Sequence, residues 1–366
     1  MKSIQYTSAR RWWVAVLGLI GVIIASIYVF RTPFTWRTPL KSSVRPPVTL
    51  ASQSPPIIAI GAERPSLMFR STTLGDTYGR LVFVPLNHPN ASSAVSDMRC
   101  DRVHFAAGRG VCLTARRGVF TTYEAIVFDA AFKPLFTVPL RGTPSRVRVS
   151  ADGRVAAMTV FVSGHSYATS GFSTHTSIID LWTGDVIAPD LEKFTLWRNG
   201  ERLQAVDLNF WGVTFSHDHQ RFYATVGTGG RTYLIEGEIA TQTAWVRRSE
   251  LECPALSPDN TRLAFKKRVG GAWGPISWRL AVLDLTTQQE WFLAETRSID
   301  DQAEWLDDAS VLYTLPDQTA RSAVMNTWVV PADGSGEPRL FVAHAYSPVV
   351  IHPWPLQYPW PQTVLQ

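Results

Sequence analysis

Two hydrophobic patterns divide the chain. Residues 12–30, WWVAVLGLIGVIIASIYVF, run without a single charge. Beyond residue 57 the apolar residues come in short runs broken by Gly, Pro, Asp and Asn, the pattern of strands joined by tight turns. At a rise of 1.5 Å per residue the first stretch spans about 28 Å, the thickness of a hydrocarbon core. Trp12, Trp13, Tyr28 and Phe30 at its ends suit the two membrane interfaces. The pattern predicts a short tail over 1–11 and a transmembrane signal-anchor over 12–30. A cleaved signal peptide is the alternative, although its apolar region is normally shorter and ends in a small-x-small site. Residues 31–56 hold Pro33, Pro39, Pro46, Pro47, Pro55 and Pro56 among Ser, Thr and basic residues, a linker with a reach of roughly 30 to 80 Å.

Two repeating units follow. The first is an apolar run ending in a turn: LVFVPLN at 81–87, AIVFDAA at 125–131, SIIDLWTGD at 177–185, YLIEGEIATQT at 233–243, LAVLDLTTQQE at 280–290 and TWVVPADGSGE at 327–337. Aligned on Pro85, Asp129, Asp180, Glu238, Asp284 and Pro331, they recur at intervals of 44, 51, 58, 46 and 47 residues. The second unit is strand, turn, strand, anchored by Phe105, Val149, Phe215, Leu256 and Trp305 at intervals of 44, 66, 41 and 49. A period near 45 residues holding about four short strands is the content of one propeller blade. Six such units fill the chain from residue 57, and YSPVVIHP at 346–353 is placed to supply the strand that the first lacks and so close the ring. The fold class read from this pattern is all-β: a six-bladed β-propeller over 57–353, preceded by one transmembrane helix and followed by a Pro/Trp-rich tail over 354–366. The 66-residue interval predicts an insertion, placed at the polar GHSYATSGFSTH stretch, 164–175.

The turn LSPDNTRLAF at 256–265 resembles the S-P-D-G-x-x-I-A-F signature of the TolB-like β-propellers, the family with WD-like repeats. SADGRVAAM at 150–158 and SHDHQRFYA at 216–224 are weaker copies. The resemblance extends over most of 57–366, and the WD dipeptide of true WD repeats is missing. It implies a fold whose members include binding proteins, peptidase gates and lyases, so function rests on the site.

The net charge of +5 changes little. Seven basic residues and no acidic one lie before Pro56, so the remaining 28 face 30 acidic residues. The globular part is near neutral, which excludes the broad basic face that nucleic-acid binding needs. Cys100, Cys112 and Cys253 contain no CxxC pair and offer no tetrahedral zinc site. Cys100 and Cys112 flank one hairpin and could pair in an oxidising compartment; buried free thiols are the favoured alternative.

No catalytic constellation assembles. Ser257, Pro258, Asp259 and Asn260 read as turn chemistry. GHSYA at 164–168 has no helix after it to form a nucleophile elbow. His217 and His219, with His104 and His175 as company, are a weak metal constellation at a turn. The Trp residues read as blade packing before sugar stacking.

Superposing the repeats gives the more informative set. Arg102, His104, Arg146, Arg148 and Glu304 all fall near the starts of innermost strands, which surround the central channel of a propeller. The expectation is a basic sector of Arg102, Arg146 and Arg148 facing an acidic one around Glu295, Asp300, Asp301 and Glu304, able to bind a ligand or partner. A hydrated channel with incidental charges is the plainer alternative. The reading is therefore a non-catalytic module, anchored in the cell membrane by its N-terminal helix, that binds a protein or cell-envelope component outside the cytoplasm. It needs no cofactor and no metal. The alternative is an extracytoplasmic propeller enzyme, a metal-dependent glycan lyase or hydrolase.

Overall fold

The computed structural model describes residues 64–89, 93–162, 173–218, 220–270, 275–318 and 324–353. The expected anchor at 12–30, the expected linker at 31–56, His219 and the expected tail at 354–366 lie outside them. Among the described residues no helix is long and apolar enough to cross a membrane.

Six antiparallel sheets form the six blades. Blade 1 runs outward as Ala345–Ile351, Ser66–Ser71, Arg80–Pro85 and Ala94–Arg99. Its innermost strand is thus the last one among the described residues, pairing Ile351 with Ser66 and Ala345 with Ser71. Blade 2 comprises Arg102–Ala106, Arg109–Arg116, Thr122–Asp129 and Pro134–Leu140. Blade 3 comprises Thr143–Val149, Val155–Val162, Ser173–Asp180 and Val186–Ala188. Blade 4 is Asn209–Phe215, Arg221–Thr228, Arg231–Glu238 and Thr243–Ser249. Blade 5 is Glu252–Leu256, Arg262–Val269, Ser277–Asp284 and Glu290–Phe292; blade 6 is Glu304–Asp307, Ser310–Pro316, Met325–Pro331 and Arg339–Val342.

The first repeat unit is the third strand of every blade with the turn that follows it, and the five anchors lie on innermost strands. Recruiting the closing strand from the far end of the chain leaves no open edge in the ring. Blades pack through apolar faces such as Met68, Phe83, Phe105 and Phe128 between blades 1 and 2.

The long interval has a source that the pattern misses. Residues 189–208 add Thr195–Arg198 and Glu201–Arg202 to the outside of blade 4, the former parallel to Thr243–Ser249. Only the end of the expected insertion is described, and residues 173–175 of it are already strand.

The SPDN turn is conformational. Ser257 Oγ donates to Asp259 Oδ1 at 2.6 Å and accepts from the Arg262 amide at 2.9 Å, while Asp259 Oδ1 also accepts from the Thr261 amide at 3.0 Å. Asn260 adopts φ +60°, and Gly153 takes φ +70° in the equivalent turn of blade 3. Burial would raise the Asp259 carboxyl, but these donors outweigh it and hold the group at about 2. Ser150 with Asp152, and Ser216 with Asp218, repeat the bond.

Cys100 and Cys112 form a disulfide, with Cα atoms 5.3 Å apart, and do not remain free thiols. The hairpin register sets this geometry: Cys112 faces Val103 directly, bringing Cys100, two residues before the inner strand, within reach. Cys253 is free and buried.

Candidate functional site

Each inner strand starts near one face of the ring and ends near the other. Turns from inner to second strand, and from third to outer strand, lie on what we term the turn face. Loops from second to third strand, and crossings between blades, lie on the crossing face. The residues singled out by superposition occupy the crossing-face half of the channel.

Five of them meet there. Arg102 Nη1 donates to both carboxylate oxygens of Asp301, at 2.9 Å each. Arg146 Nε stands 3.4 Å from Asp301 Oδ1, and its Nη2 donates to the Asp300 carbonyl at 3.1 Å. Arg148 binds Glu304 directly, and its Nη2 donates to the Ala303 carbonyl at 3.0 Å. His104 completes the set from blade 2: its Nδ1 accepts from the Val149 amide at 3.1 Å. That bond puts the proton of the neutral ring on Nε2, facing Glu304 at 3.8 Å. Arg148 Nη1 is 2.9 Å from the same nitrogen, but a donor cannot donate to a protonated nitrogen, so Glu304 is what holds it.

The electrostatics follow from burial. Desolvation would raise the Glu304 carboxyl, but Arg148 and His104 outweigh it and bring it to about 2. Asp301 is likewise raised by burial, then lowered to about 2 by Arg102 and Arg146. Burial and Arg148 both depress His104, leaving a neutral imidazole at pH 7. Three guanidinium groups therefore face two carboxylates and a neutral ring.

The closing strand supplies two residues that superposition missed. Tyr346 lies under the Arg102 guanidinium at 4.4 Å, and Ser347 Oγ bonds the Val103 backbone. That strand arrives from the far end of the chain, so no repeat offset points to it. Gln302 Nε2 donates to the carbonyls of Val213 and Pro254, at 3.0 and 2.7 Å, tying blades 4 and 5 to the crossing loop.

Two acidic residues depart from expectation. Glu295 does not line the channel cavity: it is held by Arg297, and by Tyr313 Oη at 2.5 Å, on the flank of blade 6. Asp300 lends its backbone to Arg146 while its side chain pairs with Lys266 at 2.5 Å. Both sit on the crossing from blade 5 to blade 6, 293–303, where strand register no longer dictates direction.

What remains open among these groups is about 30 Å³, room for roughly one water. The cluster joins blades 2, 3 and 6 and the closing strand; among the described residues its one hydroxyl from a serine, Ser347 Oγ, is bound to the Val103 backbone and not to a base. A larger cavity of about 290 Å³ opens at the turn-face end, between Phe105, Phe215, Ser257, Asn260, Trp305 and His352. His217 lines that cavity and His175 lies on the third strand of blade 3. His104 Nδ1 accepts from the Val149 amide and its Nε2 faces Glu304. Among the described residues no group of three or more His, Cys, Asp or Glu can hold a metal ion.

No protein-family model matches the chain, and no curated protein matches it in sequence. Solved structures match in fold. TolB from Acinetobacter baumannii is 15% identical with a TM-score of 0.51, over 79% of this chain and 66% of that one. A chain of the nidogen/laminin complex is 12% identical with a TM-score of 0.50, over 80% of this chain and 100% of that one. A putative TolB from Agrobacterium tumefaciens is 10% identical with a TM-score of 0.46, over 76% and 88%. The chain thus spans about two thirds of the A. baumannii protein. At these identities the likeness is one of fold: a TolB-like, six-bladed propeller.

Proposed function

We propose that the chain is a non-catalytic binding module, tethered to the cell membrane through residues 12–30, whose propeller meets a protein or other cell-envelope component outside the cytoplasm. The observation that carries this reading is the channel. The ionisable residues gathered there are bound to one another, so they clasp the ring and leave no reactive group poised over a substrate. A propeller without a reactive channel offers its faces, and the nidogen/laminin match is to a chain crystallised in a complex.

The charge-free run at 12–30 supports the tether. The Cys100–Cys112 disulfide supports an oxidising compartment, since such bonds do not persist in a reducing cytosol. Crosslinking of the tagged full-length chain in intact cells, read by quantitative mass spectrometry, tests the binding reading. A reproducible protein or envelope component is expected; recovery of the bait alone counts against it. For the compartment, a Thr286→Cys variant is expected to react with a membrane-impermeant maleimide on intact cells. Protection until lysis contradicts the placement.

A further inference from the structure

The two faces of the propeller use their charged side chains differently. On the turn face, aspartates recur because the turns are built from them. Asp152, Asp218 and Asp259 accept from hydroxyl and amide donors in the inner turns, and Asp129, Asp180 and Asp284 do the same in the outer ones. These carboxylates are engaged by the backbone, and Arg154, Arg221 and Arg262 pair with Asp180, Asp218 and Asp259, so the charges of that face are spent on its own turns. Arg64 and Pro353, where the described chain begins and ends, lie on this same side.

The crossing face differs in its unpaired cations and in having the most exposed apolar tips. Arg117, Arg141, Arg231 and Arg268 are exposed there and form no ion pair among the described residues. Asp76, Asp101, Asp207, Glu250 and Asp317 share the face, with Asp101 and Asp207 accepting from nearby backbone amides, while Asp301 and Glu304 are consumed in the channel and Asp300 by Lys266. The loops also display apolar side chains: Leu74 in blade 1, Val119 and Phe120 in blade 2, Val206 before blade 4 and Ile276 in blade 5. Val119 is 96% and Phe120 84% exposed, one glycine after Arg116 and Arg117. Among the described residues these arginines stand without an ion-pair partner and the apolar tips stand in solvent.

We propose that the crossing face is the docking surface, and that its partner is a protein presenting an acidic patch interspersed with apolar side chains. This rests on the binding-module reading and assigns its face and chemistry. A protein fits better than a lipid surface for two reasons. The apolar residues stand one or two to a loop on separate blades, as in the scattered anchors of an interface, and do not form one insertable wedge. The unpaired cations are all arginine, whose fork pairs with carboxylates in two bonds, whereas anionic lipid accepts lysine equally. Lys266 and Lys267 are occupied by Asp300 and Glu290, and Lys133 and Lys193 lie toward the turn face.

The test places a photo-crosslinking residue at Phe120 and, for comparison on the opposite face, at Thr286, each in the full-length chain in intact cells. The Phe120 position is expected to capture a protein through a peptide rich in Asp or Glu. Capture should fall about tenfold when Arg117, Arg231 and Arg268 are changed together to Glu, with the melting temperature unchanged. The milder triple Arg→Gln change gives the same direction if the Glu variant folds poorly. Phospholipid captured at Phe120, or protein capture indifferent to both triple changes, overturns the proposal. Protein captured only at Thr286 overturns the face assignment and leaves the binding module standing. No protein captured at either position removes both.

Discussion

Arg102 and Asp301 lie 199 residues apart in the chain, yet Arg102 Nη1 reaches both carboxylate oxygens of Asp301 at 2.9 Å. One belongs to the second blade and the other to the crossing into the sixth. The pair spans the closure of the ring, whose final strand lies between those blades. Arg148 with Glu304 makes a second link from blade 3 to blade 6. Charge gathered in the channel thus acts between blades, beside apolar packing and other interblade bonds such as Arg248 with Glu290 and Arg262 with the Asp308 carbonyl.

Gln302 tests whether polar links across the channel matter one by one. Its amide nitrogen serves two carbonyls, so Gln302→Ala is expected to lower stability by about 1–3 kcal/mol. Gln302→Glu should cost more, because a carboxylate would face two carbonyl oxygens. Denaturant titration of the two variants checks the order.

The channel also gives stability a pH dependence of definite sign. His104 is depressed in the folded state, so the unfolded chain takes up its proton first as pH falls below about 6.5. Stability should begin to decline there and fall further below about pH 4, as Asp301 and Glu304 are protonated toward their folded values of about 2. His104→Asn is expected to flatten the upper part of the decline and leave the lower part. Melting temperature against pH in the two proteins shows whether it does.

The disulfide predicts a chemical pattern. Without reductant, alkylation under native conditions should label no cysteine, because Cys253 is buried; after unfolding it should label Cys253 alone. The Cys100→Ala/Cys112→Ala variant should lose about 2–4 kcal/mol. Labelling of Cys100 or Cys112 without reductant contradicts the bond.

Much of the fold was legible because each third strand carries its own turn: AIVFDAA and LAVLDLTTQQE announce strand and Asp turn together. Thr195–Arg198 and Glu201–Arg202 gave no such signal. They are short and partly exposed, and one pairs in parallel with a strand some fifty residues on, a relation no local pattern encodes. At the site, Arg102, His104, Arg146, Arg148 and Glu304 were legible because inner-strand starts superpose. Which carboxylate each arginine takes depends on directions across the axis. Glu295 was misplaced for that reason: its loop turns it toward Arg297 and Tyr313. The choice of Cys100–Cys112 over free thiols depended on hairpin register.

The central claim, that the channel charges act on one another as a clasp, is tested most directly by a double-mutant cycle on the opening pair. Stabilities of the full-length protein, Arg102→Met, Asp301→Asn and the double variant give the coupling. The account predicts a favourable coupling of about 2 kcal/mol, with each single change more harmful than an independent surface charge would be. A coupling below about 0.5 kcal/mol, the range of additive and independent sites, would contradict it.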